Sequence, residues 1–335
     1  MSILMTGGGT GGHLAIIKAV KEHLKEEELV YVGSTKGQDK QWFENDDDFA
    51  HTYFFETRGV VNQAGIGKIK SLFMMATATF KAIRLIGKHK AKVVFSVGGF
   101  SAAPMAFAAK LTFTPLVIHE QNAALGSLNK LLKPYAKHFI SSYLDESPIK
   151  AYPIKEVFFD NVRVRDKVKT IIFLGGSQGA KAINTLALEI AEELKVKNIR
   201  IIHQAGVGNV DEVEKAYDDL GIEAEVFGFT TKLAEYMNEA DFAIARSGAS
   251  TLWELSATAV PTLYIPYPYA ASDHQYYNAQ FLVEKNLAWI MREDEIDNDK
   301  VLALLNEDLS SISRGLMDSV EKDGSKKIAK LLSDS

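Results

Sequence analysis

The 335-residue sequence contains no cysteine. Disulfides, zinc–thiolate sites, Fe–S clusters and a cysteine nucleophile are therefore excluded. The absence suits a reducing cytosol. Proline is scarce, at eight residues. Long apolar runs are missing too: Val93–Ala109 carries no charge but holds Gly98, Gly99 and Pro104. It falls short of the roughly 20 residues a membrane span needs and reads as a buried strand and helix. The start, MSILMTGGG, lacks the basic segment and long apolar stretch of a secretory signal. Disorder is excluded as well, because a chain that is 47% hydrophobic and 24% charged can bury a core.

One absence is local. No acid occurs between Glu56 and Glu120, while Arg58, Lys68, Lys70, Lys81, Arg84, Lys88, Lys90, Lys92 and Lys110 all fall there. Residues 1–165 carry 21 basic and 15 acidic side chains, and the remainder 17 and 28. The first half thus presents a basic field to something anionic, with nucleic acid and anionic lipid both open on charge alone. The length suits about two domains of roughly 100–200 residues.

What is present reads as α/β architecture. Ser2–Thr6 is a short apolar strand, followed by Gly7–Gly12 and a helical pattern through Leu14, Ile17, Val20 and Leu24. Leu29–Val32, Lys92–Val97 and Pro115–His119 are further strands, with an Ala-rich helix after Gly98-Gly99. The pattern restarts with a strand at Thr170–Leu174, a Gly175–Gly179 loop and a helix over Ala180–Leu194. Strands at Ile199–Gln204, Ala224–Phe227, Phe242–Ala245 and Pro261–Ile265 follow. Strand, glycine loop and helix in repetition predict two open parallel sheets in tandem, joined near Asp160–Lys169. Ligands in such sheets sit beyond the carboxyl ends of strands. Asn306–Ser335 reads as a charged helical tail.

Gly7, Gly9 and Gly12 fit G-x-G-x-x-G, but Val32–Thr35 supplies no acid for a nicotinamide ribose. A plain anion-binding loop at a helix start stays open, with His13 either chemical or merely structural there. Gly175-x-Ser177-x-Gly179 fits a hydrolase nucleophile elbow, with Asp241 and His274 following in order. It equally fits a second phosphate cradle. Arg246–Thr251 opens a helix containing Glu254, a carboxylate read on its first turn as acceptor for a ribose diol; Ser250 and Thr251 are otherwise caps. Asp273-His274 is poor metal spacing, so no metal is expected. The amides of Gln275 and Asn278 suit sugar hydroxyls, since each donates and accepts. In Ile66–Lys92, Ile69, Leu72, Phe73, Ala76, Phe80 and Ile83 make one stripe, widened by Met74 and Met75. It reads either as a core-facing helix or as a membrane surface.

Taken in order, GGGTGGH (Gly7–His13), SVGGFS (Ser96–Ser101), HEQN (His119–Asn122), GGSQGA (Gly175–Ala180), His203–Gly206, Arg246-Ser247-Gly248 and QYYNA (Gln275–Ala279) resemble the MurG family over nearly the whole chain. These are the bacterial UDP-N-acetylglucosamine transferases that make lipid II. The resemblance implies a GT-B fold, two Rossmann-like domains facing each other across a cleft, divided as 1–163 and 164–335, with the last helix free to cross back. It implies inverting transfer of GlcNAc from UDP-GlcNAc to the C4 hydroxyl of the muramyl sugar of lipid I, without a cofactor. The implied setting is the cytoplasmic face of the bacterial inner membrane. Its anionic surface and other cell-wall synthesis proteins are the expected partners, and nucleic acid is not. A different lipid-directed GT-B transferase, a serine hydrolase using Ser177, and a non-catalytic nucleotide-sugar-binding protein that keeps the loops but needs no base are the alternatives.

Position by position, Thr10, Gly11 and Gly12 resemble the loop that meets the donor sugar side and the acceptor pyrophosphate. His13 resembles the motif histidine and is the candidate general base, a role suited to an imidazole near neutral pH. Asn122 resembles the GlcNAc contact, Ser177 the donor-phosphate contact and Thr230 the residue whose backbone meets uracil. Ala249, Ser250, Thr251, Leu252 and Glu254 resemble the phosphate and ribose segment, and Gln275 with Asn278 the GlcNAc hydroxyl readers. Two places depart from the family pattern. Leu14-Ala15-Ile16 follows the first motif, and Asp160–Arg165 replaces the interdomain motif, leaving its arginine unassigned between Arg163 and Arg165.

Overall fold

Short, continuous apolar runs flanked by glycine loops belong in strands buried on both faces, as parallel sheets require. The computed structural model describes residues 1–57, 65–176 and 178–335, with side chains for all of these except 65–70. Arg58, Lys68, Ile69 and Lys70, and Ser177 of the second glycine loop, therefore fall outside the described residues or side chains. In the first sheet the strands are β1 (Ser2–Thr6), β2 (Glu28–Ser34), β3 (His51–Phe55), β4 (Val93–Ser96), β5 (Leu116–Glu120) and β6 (His138–Ser141). They lie in the order β3-β2-β1-β4-β5-β6. The second sheet has β7 (Thr170–Leu174), β8 (Arg200–Gln204), β9 (Ala224–Phe227), β10 (Phe242–Ala245), β11 (Thr262–Tyr264) and β12 (Trp289–Ile290). Its order is β12-β11-β10-β7-β8-β9.

Every pairing is parallel. Both sheets have the Rossmann order, which reverses between β1 and β4 and again between β7 and β10. The crevice at the carboxyl ends of those strands is where such sheets receive ligands. Central strands β1 and β5 are buried throughout. The edge strand β3 is exposed at His51 and half-buried beyond it.

Two units result: Met1–Lys155 with Asp323–Ser335, and Glu156–Lys322. The expected tail is two helices. Ser310–Ser319 belongs to the second unit, and Gly324–Ser333 packs on the Gly11–Lys21 helix of the first. Ser325 Oγ donates to Ile154 O at 2.9 Å, and Lys92 Nζ reaches both Glu27 Oε1 at 2.7 Å and Ser333 O at 2.9 Å. The single helix expected over 180–194 kinks at Ile190, giving Lys181–Glu189 and Ala191–Val196.

The Gly65–Lys88 helix turns an unusual face inward. Ser71, Ala78, Thr79, Ala82 and Ile86 are buried, and the helix packs on Ala103–Leu111, itself Ala-rich. Leu72, Phe73 and Phe80 are 51, 70 and 56% exposed. Small residues let the two helices approach closely, so the large apolar side chains are left on the outside. The core-facing reading of the stripe fails for Leu72, Phe73 and Phe80 for this physical reason, whereas Ile83 packs against the core.

Candidate active site

In the first unit the chain leaves β1 through the glycine loop and enters the Gly11–Lys21 helix. Thr10 stands at its N-cap in extended conformation, but its hydroxyl does not cap. It lies 2.9 Å from His13 Nδ1 instead. Gln121, arriving from the end of β5, sets its amide nitrogen 3.1 Å from His13 Nε2 and 3.4 Å from Nδ1. With the Gln121 amide donating to Nε2, Nδ1–H is left to donate to Thr10. The loops after β1 and β4 also meet: Gly8 N–H donates to Gly98 O at 3.3 Å. Gly99, at φ +80°, leaves no room for a Cβ beside Gly8 O.

The HEQN run divides its labour. His119 is fully buried beside Tyr152, their rings 5.5 Å apart. Burial, and secondarily the charge of His13, depress its pKa to about 3, so it is a neutral core residue. Glu120, also buried, accepts from Asn122 N at 3.0 Å, Gly126 N at 2.9 Å and Asn129 Nδ2 at 2.9 Å. One carboxylate thus shapes the whole turn that presents the half-buried Asn122. Sequence reading gave Glu120 and Gln121 no roles of their own, because their partners lie at irregular separations.

In the second unit the β7 loop is stitched to the end of β8. Gly175 N–H donates to Gln204 O at 3.3 Å and Gly176 N–H to Gln204 Oε1 at 3.2 Å. Asn184 and Asn209 both donate to Ala205 O, at 3.1 and 3.0 Å. His203 is buried between Tyr217 OH at 3.0 Å and Asn184 Oδ1 at 3.1 Å. Burial lowers its pKa to about 4, which makes it a structural imidazole.

After β10, Arg246 donates to Ile265 O at 3.0 Å and Pro266 O at 3.1 Å and pairs with Glu293. Asn278 is fully buried, with Nδ2 donating to Ser247 O at 3.1 Å. The next helix runs Ala249–Ala257, so Glu254 lies on its second turn, and no acid occupies the first. This corrects the first-turn placement. Ser250, Thr251 and Glu254 are half-buried, whereas the side chains of Ala249 and Leu252 belong to the core. Any part Leu252 takes in binding therefore runs through its backbone. Gln275 Oε1 accepts from Tyr267 N at 3.0 Å. Thr230 Oγ1 accepts from Lys232 N at 3.0 Å, just past β9. These loops all follow carboxyl ends of strands in the second sheet.

The hydrolase constellation comes apart. Asp241 precedes β10 at its amino end, where its carboxylate takes Arg163 Nη2 at 2.6 Å, Lys169 N at 2.8 Å and Thr170 N at 2.9 Å. A four-residue strand, roughly 13 Å, separates it from the loops at the other end. His274 Nδ1 instead faces Ala271 O at 2.8 Å. Asp241 cannot orient that imidazole. Arg163 and Arg165 work together at this same amino end. The fully buried Arg165 donates to Arg163 O at 2.6 Å, Ala240 O at 3.2 Å, Asn238 O at 3.2 Å and also Thr258 O. Burial, and then the neighbouring Arg163, lower its pKa to about 9.

Comparison with known proteins agrees with this arrangement. A model of the glycosyltransferase family 28 N-terminal domain matches residues 3–141, and one of the C-terminal domain matches 170–332. A Sulfurovum sp. (strain NBC37-1) protein is 79% identical over 99% of this chain and 98% of its own length. A Sulfurimonas denitrificans protein is 50% identical over 98 and 97%. Both bear the name UDP-N-acetylglucosamine--N-acetylmuramyl-(pentapeptide) pyrophosphoryl-undecaprenol N-acetylglucosamine transferase. The crystal structure of Acinetobacter baumannii MurG superposes with a TM-score of 0.82 at 27% identity, covering 100% of this chain and 99% of that one. The glycosyltransferase SnogD from Streptomyces nogalater, 15% identical with a TM-score of 0.67 over 100% of each chain, shares the fold. That fold is GT-B. The chain belongs to glycosyltransferase family 28 and, within it, to the MurG transferases.

Proposed function

We propose that the protein transfers GlcNAc from UDP-GlcNAc to the C4 hydroxyl of the muramyl sugar of lipid I, with inversion, giving lipid II. The observation that carries this reading is the 79% identity, over the full chain, to a relative bearing that activity in its name. In the reaction His13 Nε2 takes the C4 proton as the oxygen attacks the anomeric carbon; the bond to UDP breaks and its electrons leave on the diphosphate. Thr10, by accepting Nδ1–H, makes Nε2 the nitrogen that receives that proton. Thr10, Gly11 and Gly12 serve the acceptor pyrophosphate, and Asn122 contacts GlcNAc.

The second unit holds the donor. Ser177, Ala249, Ser250, Thr251 and Leu252 serve its phosphates, aided by N–H groups at helix starts. Glu254 takes the ribose hydroxyls and the Thr230 backbone the uracil. Gln275 and Asn278 read the sugar hydroxyls, Asn278 while also holding Ser247. No metal or cofactor enters.

The enzyme works as a peripheral protein on the cytoplasmic face of the inner membrane. The outward Leu72, Phe73 and Phe80, beside exposed Lys81, Arg84 and Lys88, support contact with an anionic leaflet. No helix among the described residues is long and apolar enough to cross a membrane. UDP release with and without lipid I tests the function. Release that requires lipid I and yields lipid II is expected; release independent of lipid I contradicts it.

A further inference from the structure

A dinucleotide site places an acid at the end of the second strand, and Val32–Thr35 has none. A carboxylate reaches that place from further along. Asp39 opens the short Asp39–Phe43 helix and is fully buried. Its Oδ1 accepts the Gly9 N–H at 2.5 Å and its Oδ2 the Ser34 N–H at 2.8 Å. Tyr31, also buried, lies against the same carboxylate and donates to Gly7 O at 2.9 Å. Burial and the Asp39 charge push that phenol's pKa up, so it stays a donor. Two glycines make the room. A Cβ on Gly8 would run into the carboxylate, and one on Gly33 would stand 2.6 Å from Tyr31 OH and 2.9 Å from Asp39 Oδ2.

We propose that Asp39 is a positioning residue that clamps the Gly7–Gly9 turn, and through it holds Thr10 and His13 in the geometry the reaction uses. The two N–H groups that donate to its carboxylate are backbone groups. The Gly9 N–H is thereby withdrawn from anion binding, as the Gly8 N–H is by Gly98 O. The acceptor is then met at the helix start, Thr10–Gly12, and not by the turn preceding it. This rests on the assignment of His13 and its loop to the acceptor side.

The test measures turnover with lipid I and UDP-GlcNAc for Asp39→Asn, Asp39→Glu and His13→Ala, together with the backbone amide NMR signal of Gly9. Asp39→Asn sets an NH2 against one of the two N–H donors. Displacement of a reacting group by about 1 Å is worth about a hundredfold in rate. A ten- to hundredfold fall in kcat is expected, with a several-fold rise in KM for lipid I and KM for UDP-GlcNAc within twofold. The Gly9 amide proton should move upfield and exchange faster. Asp39→Glu, which keeps both acceptors, should recover part of the loss. Should Asp39→Asn fold poorly, Gly33→Ala displaces the carboxylate without removing it, and the same KM split is expected. A fall in kcat with both KM values unchanged, turnover within twofold of the parent, or an unmoved Gly9 amide overturns the proposal. Turnover retained in His13→Ala overturns the base assignment instead, and the Gly9 signal reports on the clamp independently of it.

Discussion

The two sheets share one strand order but brace their ligand-end loops differently. In the first unit the braces are buried carboxylates: Asp39 beneath the β1 loop and Glu120 beneath the β5 loop. Among the described residues neither is paired with a lysine or arginine. In the second unit the braces are neutral amides: Gln204, Asn184, Asn209 and Asn278. The acids Glu293 and Asp273 are each answered there by an arginine, Arg246 and Arg292. The difference matches the chemistry assigned to each unit. Negative charge beneath the first loops favours taking up a proton, and the acceptor pyrophosphate is met beyond them, at the Thr10–Gly12 helix start. Neutral braces beneath the second set no carboxylate against a diphosphate on which charge grows as the bond breaks.

The comparison breaks first at His13. His13→Ala should cut turnover by about 10²–10⁴-fold, the size of a general-base contribution, while UDP affinity measured by calorimetry stays unchanged. Glu254→Ala should do the reverse. Losing a hydrogen bond to a charged group should weaken UDP by about 1.5–3 kcal/mol. Unchanged UDP affinity would remove Glu254 from the ribose.

Acid should act on both units alike. His119 and His203, one in each, have folded pKa values of about 3 and about 4, below the unfolded value near 6.5. Above pH 6.5 both states bind no proton on these rings and stability does not depend on them. As pH falls below 6.5 the unfolded chain protonates first. Each histidine then lowers stability by about 1.4 kcal/mol per pH unit, down to its folded pKa. Denaturant titrations between pH 7 and 5 measure that slope, and His203→Gln should flatten it by the share of one group.

The smallest effect concerns the outer face of the first unit. Phe73→Glu with Phe80→Glu should abolish the part of binding to anionic vesicles that survives high salt, leaving UDP affinity intact. Cosedimentation equal to the parent at high salt would place the membrane surface elsewhere.

Legibility followed burial for the inner strands. β1, β7 and β10 are read to the residue from the sequence, as is β9, a half-buried edge strand whose apolar residues are bounded by turn residues. The three strands the reading missed, β3, β6 and β12, are the other sheet edges, where one flank is open. His51–Phe55 therefore lacks a continuous aliphatic run, and β12 is two residues long. Motif residues such as His13 and Gln275 stood out by type and spacing. Their supports did not. Asp39 comes five residues past the position where an acid was sought, and it turns toward backbone, which no side-chain pattern encodes. Arg163 and Arg165 could not be told apart because both donate to main-chain carbonyls, and Arg163 also to Asp241, mostly at separations above 70 residues.

The contrast between braces is tested most directly by titrating UDP into Asp39→Asn and Gln204→Glu side by side. Two unit charges about 8 Å apart at an effective dielectric near 20 repel by about 2 kcal/mol, or roughly thirtyfold in affinity. On that scale Gln204→Glu, which sets a carboxylate beneath the loop assigned to the diphosphate, should weaken UDP, while Asp39→Asn binds it as the parent does. Equal affinities in the two variants, whether both weakened or both unchanged, would contradict the account.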